Sequence, residues 1–352
     1  MYSVGVSLAP IIVKAVVSLE ALEGKSFATD GNNALHQFLA LIRLSDGSPL
    51  TDQEGHVTSH LVGLMFRTTH LMEAYDIRQV FVFDGRPSEL KRREIEERKA
   101  QRQRSLREMR EAQEQGDYAK AFRKAVRSGS LTRGMLQDAK RLLTLLGVPH
   151  FDAPGEAEAQ AAHMAAKGDV WAADSRDFDS LLFGAPRLVR YLTISGKEFL
   201  PSKGVARLLK PEVIELDNLL RHHGITREQL VDLAVLIGTD FNAGVKGVGP
   251  KGALKLIKAY GRLEDLPAEV QSKLPEDYEA VREVFLHPSV TDEYPLEFKE
   301  PDGEGILQFL CGERGFSRER VQTALDRVKR SYGRRLRPSL ERWMPSSPKP
   351  QA

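Results

Sequence analysis

The sequence predicts an α/β protein with a mostly parallel central sheet flanked by helices, and three observations carry that expectation. Three short runs rich in β-branched or aromatic residues each end in an aspartate: Lys25-Ser-Phe-Ala-Thr-Asp30, Gln79-Val-Phe-Val-Phe-Asp84 and Asp169-Val-Trp-Ala-Ala-Asp174. Helical patterns, Ala34 to Ile42 and Ser59 to Glu73 among them, lie between the runs. Strand alternating with helix is how parallel strands joined by helical crossovers read in sequence. The length, 352 residues with 41% hydrophobic, is enough to bury a sizeable core and excludes a disordered or fibrous chain.

Taken in order, the first apolar stretch, Leu8 to Val17, fails as a signal peptide because it is short, broken by Pro10 and Lys14, and preceded by no basic residue. From Leu90 to Arg127 good helix formers dominate but few residues could build a core face, so a poorly packed helix is expected. Lys210 to Lys329 reads as helix-rich, interrupted by Gly244-Val-Lys-Gly-Val-Gly-Pro-Lys-Gly252. From Ser331 the chain turns Arg- and Pro-rich and reads as a mobile tail. No segment is apolar enough to span a membrane. The single cysteine, Cys311, excludes an internal disulfide and, with no Cys/His cluster, argues against structural zinc; a reducing, cytoplasmic setting follows. With 51 basic against 49 acidic residues, only local clustering of charge is informative.

In parallel sheets ligands bind beyond the carboxyl ends of the strands, where these aspartates fall. The acids of interest are Asp30, Asp84, the pair Glu156 and Glu158, the pair Asp177 and Asp179, and Asp240. Any one of them could be only a helix cap, since acids are favoured in first turns. As a set they exceed what capping requires. Sharing one pocket, they would repel one another and take up protons unless cations neutralised them. Hard oxygen donors at this density suit magnesium or manganese, and two such ions would form a clamp for phosphodiester hydrolysis.

Two further signals concern nucleic acid. In Gly247-Val-Gly249-Pro-Lys251, glycines allow close backbone approach to a phosphate, the next helix offers free N–H groups, and Lys246, Lys251 and Lys255 supply charge. An ordinary interhelical turn is the plainer alternative. Between Arg86 and Arg133, 15 basic residues face 8 acids. Such a segment could track a single strand's phosphates, or be a solvated helix laced with pairs such as Glu94 and Arg98.

The runs Val82-Phe-Asp-Gly85, Gly155-Glu-Ala-Glu-Ala-Gln160, Asp177-Phe-Asp-Ser-Leu-Leu182, Gly238-Thr-Asp-Phe241 and Gly247-Val-Gly-Pro-Lys251 resemble the structure-specific 5′-nuclease superfamily, and more narrowly its archaeal-type flap endonucleases, in one collinear order from about Gly5 to Trp343. The resemblance implies a PIN-like nuclease core with a helical arch and a helix-two-turn-helix. It divides the chain into an N-terminal region over 1–102, the remainder of the arch or cap over 103–135, an overlapping intermediate region over 119–261, a C-terminal helical part over 262–330 and a tail over 331–352. It implies two Mg2+, replaceable by Mn2+: Asp30, Asp84, Glu156 and Glu158 match the ligands of the first, and Asp177, Asp179 and Asp240 those of the second. Lys91 and Arg98 match catalytic cations at the base of the arch. The hairpin, through Lys246, Gly247, Gly249 and Lys251, would grip duplex DNA and hold a K+ ion. Thr58, Arg314 and Phe316 fall in segments that cradle a one-nucleotide 3′ flap.

Departures accompany the matches. His36 stands where the family has a DNA-stacking tyrosine, Asp174 is an eighth acid where a small residue is usual, and Val4 would be the initiator preceding the family's Gly5. In Arg337-Pro-Ser-Leu-Glu-Arg-Trp-Met344, Leu340 and Trp343 match a peptide that binds a PCNA-type sliding clamp; Met344 replaces an aromatic and Arg337 a glutamine, so weakened affinity is expected. The activity implied is Mg2+-dependent cleavage at the base of 5′ flaps with an associated 5′-3′ exonuclease, in Okazaki fragment maturation and long-patch base excision repair, by a monomer that hands its product between polymerase and ligase. The alternatives are a sister 5′-exonuclease or junction resolvase, or a non-catalytic junction binder that recruits the clamp.

Overall fold

A computed structural model describes residues 5–44, 48–91, 103–104, 107–108, 131–194, 196–200 and 205–336. Arg98 and most of the expected arch, the residues before Gly5, and the tail residues Leu340, Trp343 and Met344 lie outside the described residues.

The central sheet has seven strands: β1 (Ala15–Val16), β2 (Ser26–Asp30), β3 (Arg78–Phe83), β4 (His150–Asp152), β5 (Ala172–Asp174), β6 (Arg187–Arg190) and β9 (Glu212–Glu215), in the order β1-β9-β6-β5-β2-β3-β4. The five from β6 to β4 are parallel, and β9 and β1 add antiparallel at one edge. A separate hairpin pairs β7 (Gly196–Leu200) with β8 (Val205–Leu209). The three aspartate-tipped runs are thus β2, β3 and β5, side by side at the centre. The helix-rich reading of the region after Lys210 missed β9, whose alternating Glu212-Val-Ile-Glu215 is too short to outweigh the helical pattern that follows.

The helices, in chain order, are α1 (Gly31–Leu41), α2 (Ser59–Tyr75), α3 (Arg133–Leu145), α4 (Ala157–Lys167), α5 (Asp179–Leu182), α6 (Leu216–His223), α7 (Arg227–Ile237), α8 (Pro250–Tyr260), α9 (Ala268–Gln271), α10 (Tyr278–Leu286), α11 (Gly303–Leu307) and α12 (Arg318–Leu336). None among the described residues is long and apolar enough to cross a membrane. Because strand side chains alternate, Ala28, Val80, Val82 and Ala173 join one core layer with α4, α5 and α7. Phe81 and Phe83 join another with α1, α2, α3 and α12. Both faces of the sheet are covered, which is why its central strands read as near-continuous apolar runs. Local signals set the helix starts: Asp30 accepts from Asn33 N–H, Thr132 accepts from Met135 N–H, and Thr226 forms a reciprocal capping box with Gln229.

Between α10 and α11 an extended strap, 287–302, crosses the outer side of α4. Gln160 clasps it in both directions, donating to Thr291 O at 2.8 Å and accepting from Thr291 N–H at 2.9 Å. Asp292 meets His163 and Lys167, Tyr294 donates to Asp169 and stacks on Phe151, and Lys299 N–H and Asp302 N–H donate to Gly147 O and Leu145 O.

Candidate active site

The carboxyl ends of the parallel strands deliver the acids. Asp30 ends β2 while capping α1, and Asp84 follows β3 directly, accepting from Ala157 N–H at the start of α4 at 2.9 Å. Glu156 is the residue before α4, and Glu158 sits in its first turn. Asp177 lies in the turn after β5, Asp179 begins α5, and Asp240 follows α7. The N-terminal segment comes back to the same place: Gly5 N–H donates to Asp240 Oδ1 at 3.1 Å, and Val6 N–H to Asp179 Oδ1 at 2.8 Å. Gly5 has φ +80°, and a Cβ there would stand 2.9 Å from Asp179 Oδ1, so glycine is required on both counts.

The seven acids form one electrostatic unit. Burial, then the charges of Asp84 and Asp177, push the Asp30 carboxyl well above the usual carboxylate range. Burial, then Asp179, Asp177 and Asp30, do the same to Glu158. Asp179 is pushed up to about 8 by burial and by Asp240, and Glu156 is raised by burial. Lys91 reaches into the cluster from a 3-10 turn at Glu89–Lys91, hydrogen-bonding Glu156 and lying 3.6 Å from Asp240. Burial opposes its charge, but Glu156, Asp240 and Asp84 outweigh that and hold the ammonium above its ordinary range.

Divalent cations fit this donor set. The donors are hard oxygens, their mutual repulsion is relieved by added positive charge, and Glu158 Oε1 is buried without a hydrogen-bond partner. Among the described residues no three His, Cys, Asp or Glu side chains are drawn together into a finished metal site, so the fit rests on the chemistry of the donors.

Asp174 is separate from this floor of seven acids. Its Oδ2 accepts from Thr29 Oγ1 at 3.0 Å, and Thr29 Oγ1 in turn accepts from Gln79 Nε2 at 3.0 Å, a buried polar row across β5, β2 and β3. Burial pushes the Asp174 carboxyl up to about 7 against the pull of those two neighbours. Sequence reasoning missed Asn33, which donates through Nδ2 to Asp177 Oδ2 at 2.7 Å. The available signal was the pair of asparagines, Asn32 and Asn33, just after Asp30 in the first turn of α1.

The glycine hairpin stands between α7 and α8, with Lys246, Gly247, Gly249 and Lys251 all exposed. Pro250 opens α8 without an N–H to satisfy, and Lys251, Leu254, Lys255, Lys258 and Ala259 line an open groove of about 470 Å³. On the other side, Arg314 is held by Asp138 at 2.9 Å, with Asp52 3.6 Å away, and Phe316 stacks on Phe66 at 6.4 Å between ring centroids. Thr58 is buried beside the start of α2, and His36 is exposed on α1. Cys311 is half-buried and burial raises its thiol, which suits a packing role and not a nucleophile.

The acids gather at the carboxyl ends of a parallel sheet around the half-buried Lys91, an arrangement suited to metal-assisted hydrolysis. Residues 5–105 match the XPG N-terminal domain, and residues 147–240 match the XPG I-region. Flap endonuclease 1 of Pyrococcus horikoshii is 48% identical over 340 residues, covering 96% of this chain and 98% of that protein. Flap endonuclease 1 of Pyrococcus furiosus is 48% identical with 96% and 99% covered. The solved flap endonuclease-1 from Methanococcus jannaschii superposes with a TM-score of 0.76 at 40% identity, covering 94% of this chain and 100% of that one. The catalytic core of Rad2 in complex with DNA substrate shares the fold, with a TM-score of 0.68 at 24% identity over 91% of this chain and 97% of that one. The chain belongs to the flap endonuclease 1 family.

Proposed function

We propose that the carboxylate floor hydrolyses one DNA phosphodiester at the base of a 5′ flap. The family membership makes the chain a structure-specific 5′ flap endonuclease, a metal-dependent hydrolase that acts on DNA. The observation that supports the finer reading is the electrostatic coupling of all seven acids around Lys91.

In that reading Asp30, Asp84, Glu156 and Glu158 hold one Mg2+, and Asp177, Asp179 and Asp240 a second, with Mn2+ able to substitute. When bound, the ions supply the activated water and stabilise the leaving oxygen. The chain's own residues do the rest. Lys91, joined by Arg98, lies beside the scissile phosphate and offsets charge that builds on it. Lys246 and Lys251 anchor duplex phosphates beside the backbone at Gly247 and Gly249, where a K+ ion sits, and so select shape rather than base sequence. Arg314 and Phe316, with the α2 start at Thr58, receive the one-nucleotide 3′ flap, and His36 faces the base near the cut. Leu340, Trp343 and Met344 dock weakly on a PCNA-type clamp. The chain then acts as a cytoplasmic monomer in flap removal during replication and long-patch repair, between polymerase and ligase, with 5′-3′ exonuclease as a secondary activity.

The test is cleavage of an end-labelled double-flap DNA carrying a one-nucleotide 3′ flap, with Mg2+ or a chelator, beside single-stranded and four-way-junction controls. One Mg2+-dependent cut just inside the duplex, far faster than on the controls, is expected. Faster cutting of the four-way junction would overturn the substrate assignment. Asp179→Ala should abolish the cut and leave junction binding in a gel shift intact; cleavage at near the native rate would remove Asp179 from the metal site.

A further inference from the structure

Asn33 has every polar group of its side chain committed. Its Oδ1 accepts from Gln37 Nε2 at 2.6 Å and from Arg176 N–H at 3.2 Å. The Arg176 backbone N–H can only donate, which settles which end of the amide is oxygen, so Nδ2 faces Asp177, to whose Oδ2 it donates at 2.7 Å. Meanwhile the Asn33 backbone N–H donates to Asp30 Oδ1 at 2.9 Å. Asp30 and Asp177 belong to the two different acid sets, and the charge of Asp177 is among the causes that raise the proton affinity of Asp30. One residue therefore binds a carboxylate from each set and also the backbone of the turn that carries the second.

We propose that Asn33 is a positioning residue that fixes Asp177 relative to Asp30, and so sets the spacing at which the two halves of the floor take their two metal ions. The inference rests on the assignment of these acids as metal ligands. Asn33 acts through Asp177: by holding one carboxylate oxygen, Oδ2, it fixes the rotation of that carboxyl group. An alanine would leave the backbone hydrogen bond to Asp30 in place. It would release Asp177 and leave Arg176 N–H and Gln37 Nε2 without their acceptor. Groups that orient metal ligands in this way commonly change metal affinity by about 10- to 100-fold when removed.

The experiment is a Mn2+ titration of the DNA-free full chain, read by electron paramagnetic resonance of free Mn2+, for the native protein, Asn33→Ala and Gln37→Met. The native chain is expected to bind two ions. In Asn33→Ala one of the two should weaken about tenfold and the other by less than threefold. On flap DNA at limiting Mn2+, kcat should fall about tenfold with KM within threefold, because the hairpin that grips duplex is untouched, and saturating Mn2+ should restore most of kcat. Gln37→Met keeps Asn33 and removes one of the two donors that orient it, so a shift of about threefold in the same direction is expected, and it stands as the test if Asn33→Ala fails to fold. Native affinities for both ions in folded variants, with kcat within twofold of native, would overturn the proposal and reduce Asn33 to a brace of α1. Failure of the native chain to bind Mn2+ would instead overturn the metal assignment beneath it.

Discussion

Asp174 offers a prediction whose size follows from its surroundings. It is 4% exposed, and burial pushes its carboxyl up to about 7 from an ordinary value of 3.8. A folded-state value above the unfolded one means that the native protein holds the proton more tightly. Stability from this group is therefore complete at pH below about 4 and is lost as pH rises through about 7. Each pH unit between pH 5 and pH 7 removes up to about 1.4 kcal/mol, so roughly 2 kcal/mol is lost by pH 7 and the small remainder above it. Asp174→Asn keeps an acceptor for Thr29 Oγ1 and removes the titration. Relative to the native chain, its unfolding free energy should gain about 2–3 kcal/mol between pH 5 and pH 8.5. At the entropy of unfolding typical for a chain of this size, that is about 4 °C in melting temperature. The assay is calorimetry of both proteins across that range with a chelator present, and subtraction cancels the titration of the seven floor acids. A difference that stays constant from pH 5 to pH 8.5 would refute the reasoning, because the carboxyl would then titrate as it does in the unfolded chain.

Gly5→Ala forces an L-residue to φ +80° with its Cβ 2.9 Å from Asp179 Oδ1. A cost of about 1–2 kcal/mol in stability and weaker Mn2+ binding are expected; an unchanged melt and unchanged Mn2+ affinity would show that the segment shifts freely. Lys246→Ala with Lys251→Ala removes two exposed phosphate contacts, so binding to flap DNA should weaken equally for all sequences and the slope of log affinity against log salt should fall by about 2. A slope equal to that of the native chain would place the hairpin off the DNA.

Asp30, Asp84, Glu156, Glu158 and Asp179 were legible in sequence because they stand at a strand end or a helix start, positions marked by β-branched runs and Pro154-Gly155, whereas Asp177 and Asp240 lie in turns and were marked by the acid-x-acid spacing and by Gly238. The fold was legible for the same reason, since β2, β3 and β5 are mostly buried and carry short β-branched, aromatic or small runs that each lead into an aspartate. What sequence could not give is partnership. Nothing local says that Asp174 turns to Thr29 and Gln79 and not to the floor, because that depends on strand order. Nor does Asn33 announce its contact with Asp177, 144 positions away. The edge strands β1 and β9 were invisible because two to four residues carry too little periodicity. Nor does the sequence around Arg314 show that Asp138, with Asp52 beside it, holds that side chain in place.

The strap over 287–302 bears on how the molecule comes apart. It is fastened to α4 at Gln160 in the middle and to the loop after α3 near its end, while the helices it joins pack on opposite layers of the core. The strap thus ties the helix that follows Glu156 to the segments on either side of it. The nuclease centre and both of its flanks should therefore melt as one cooperative unit, and a protease that nicks the strap should lower the stability of all three together.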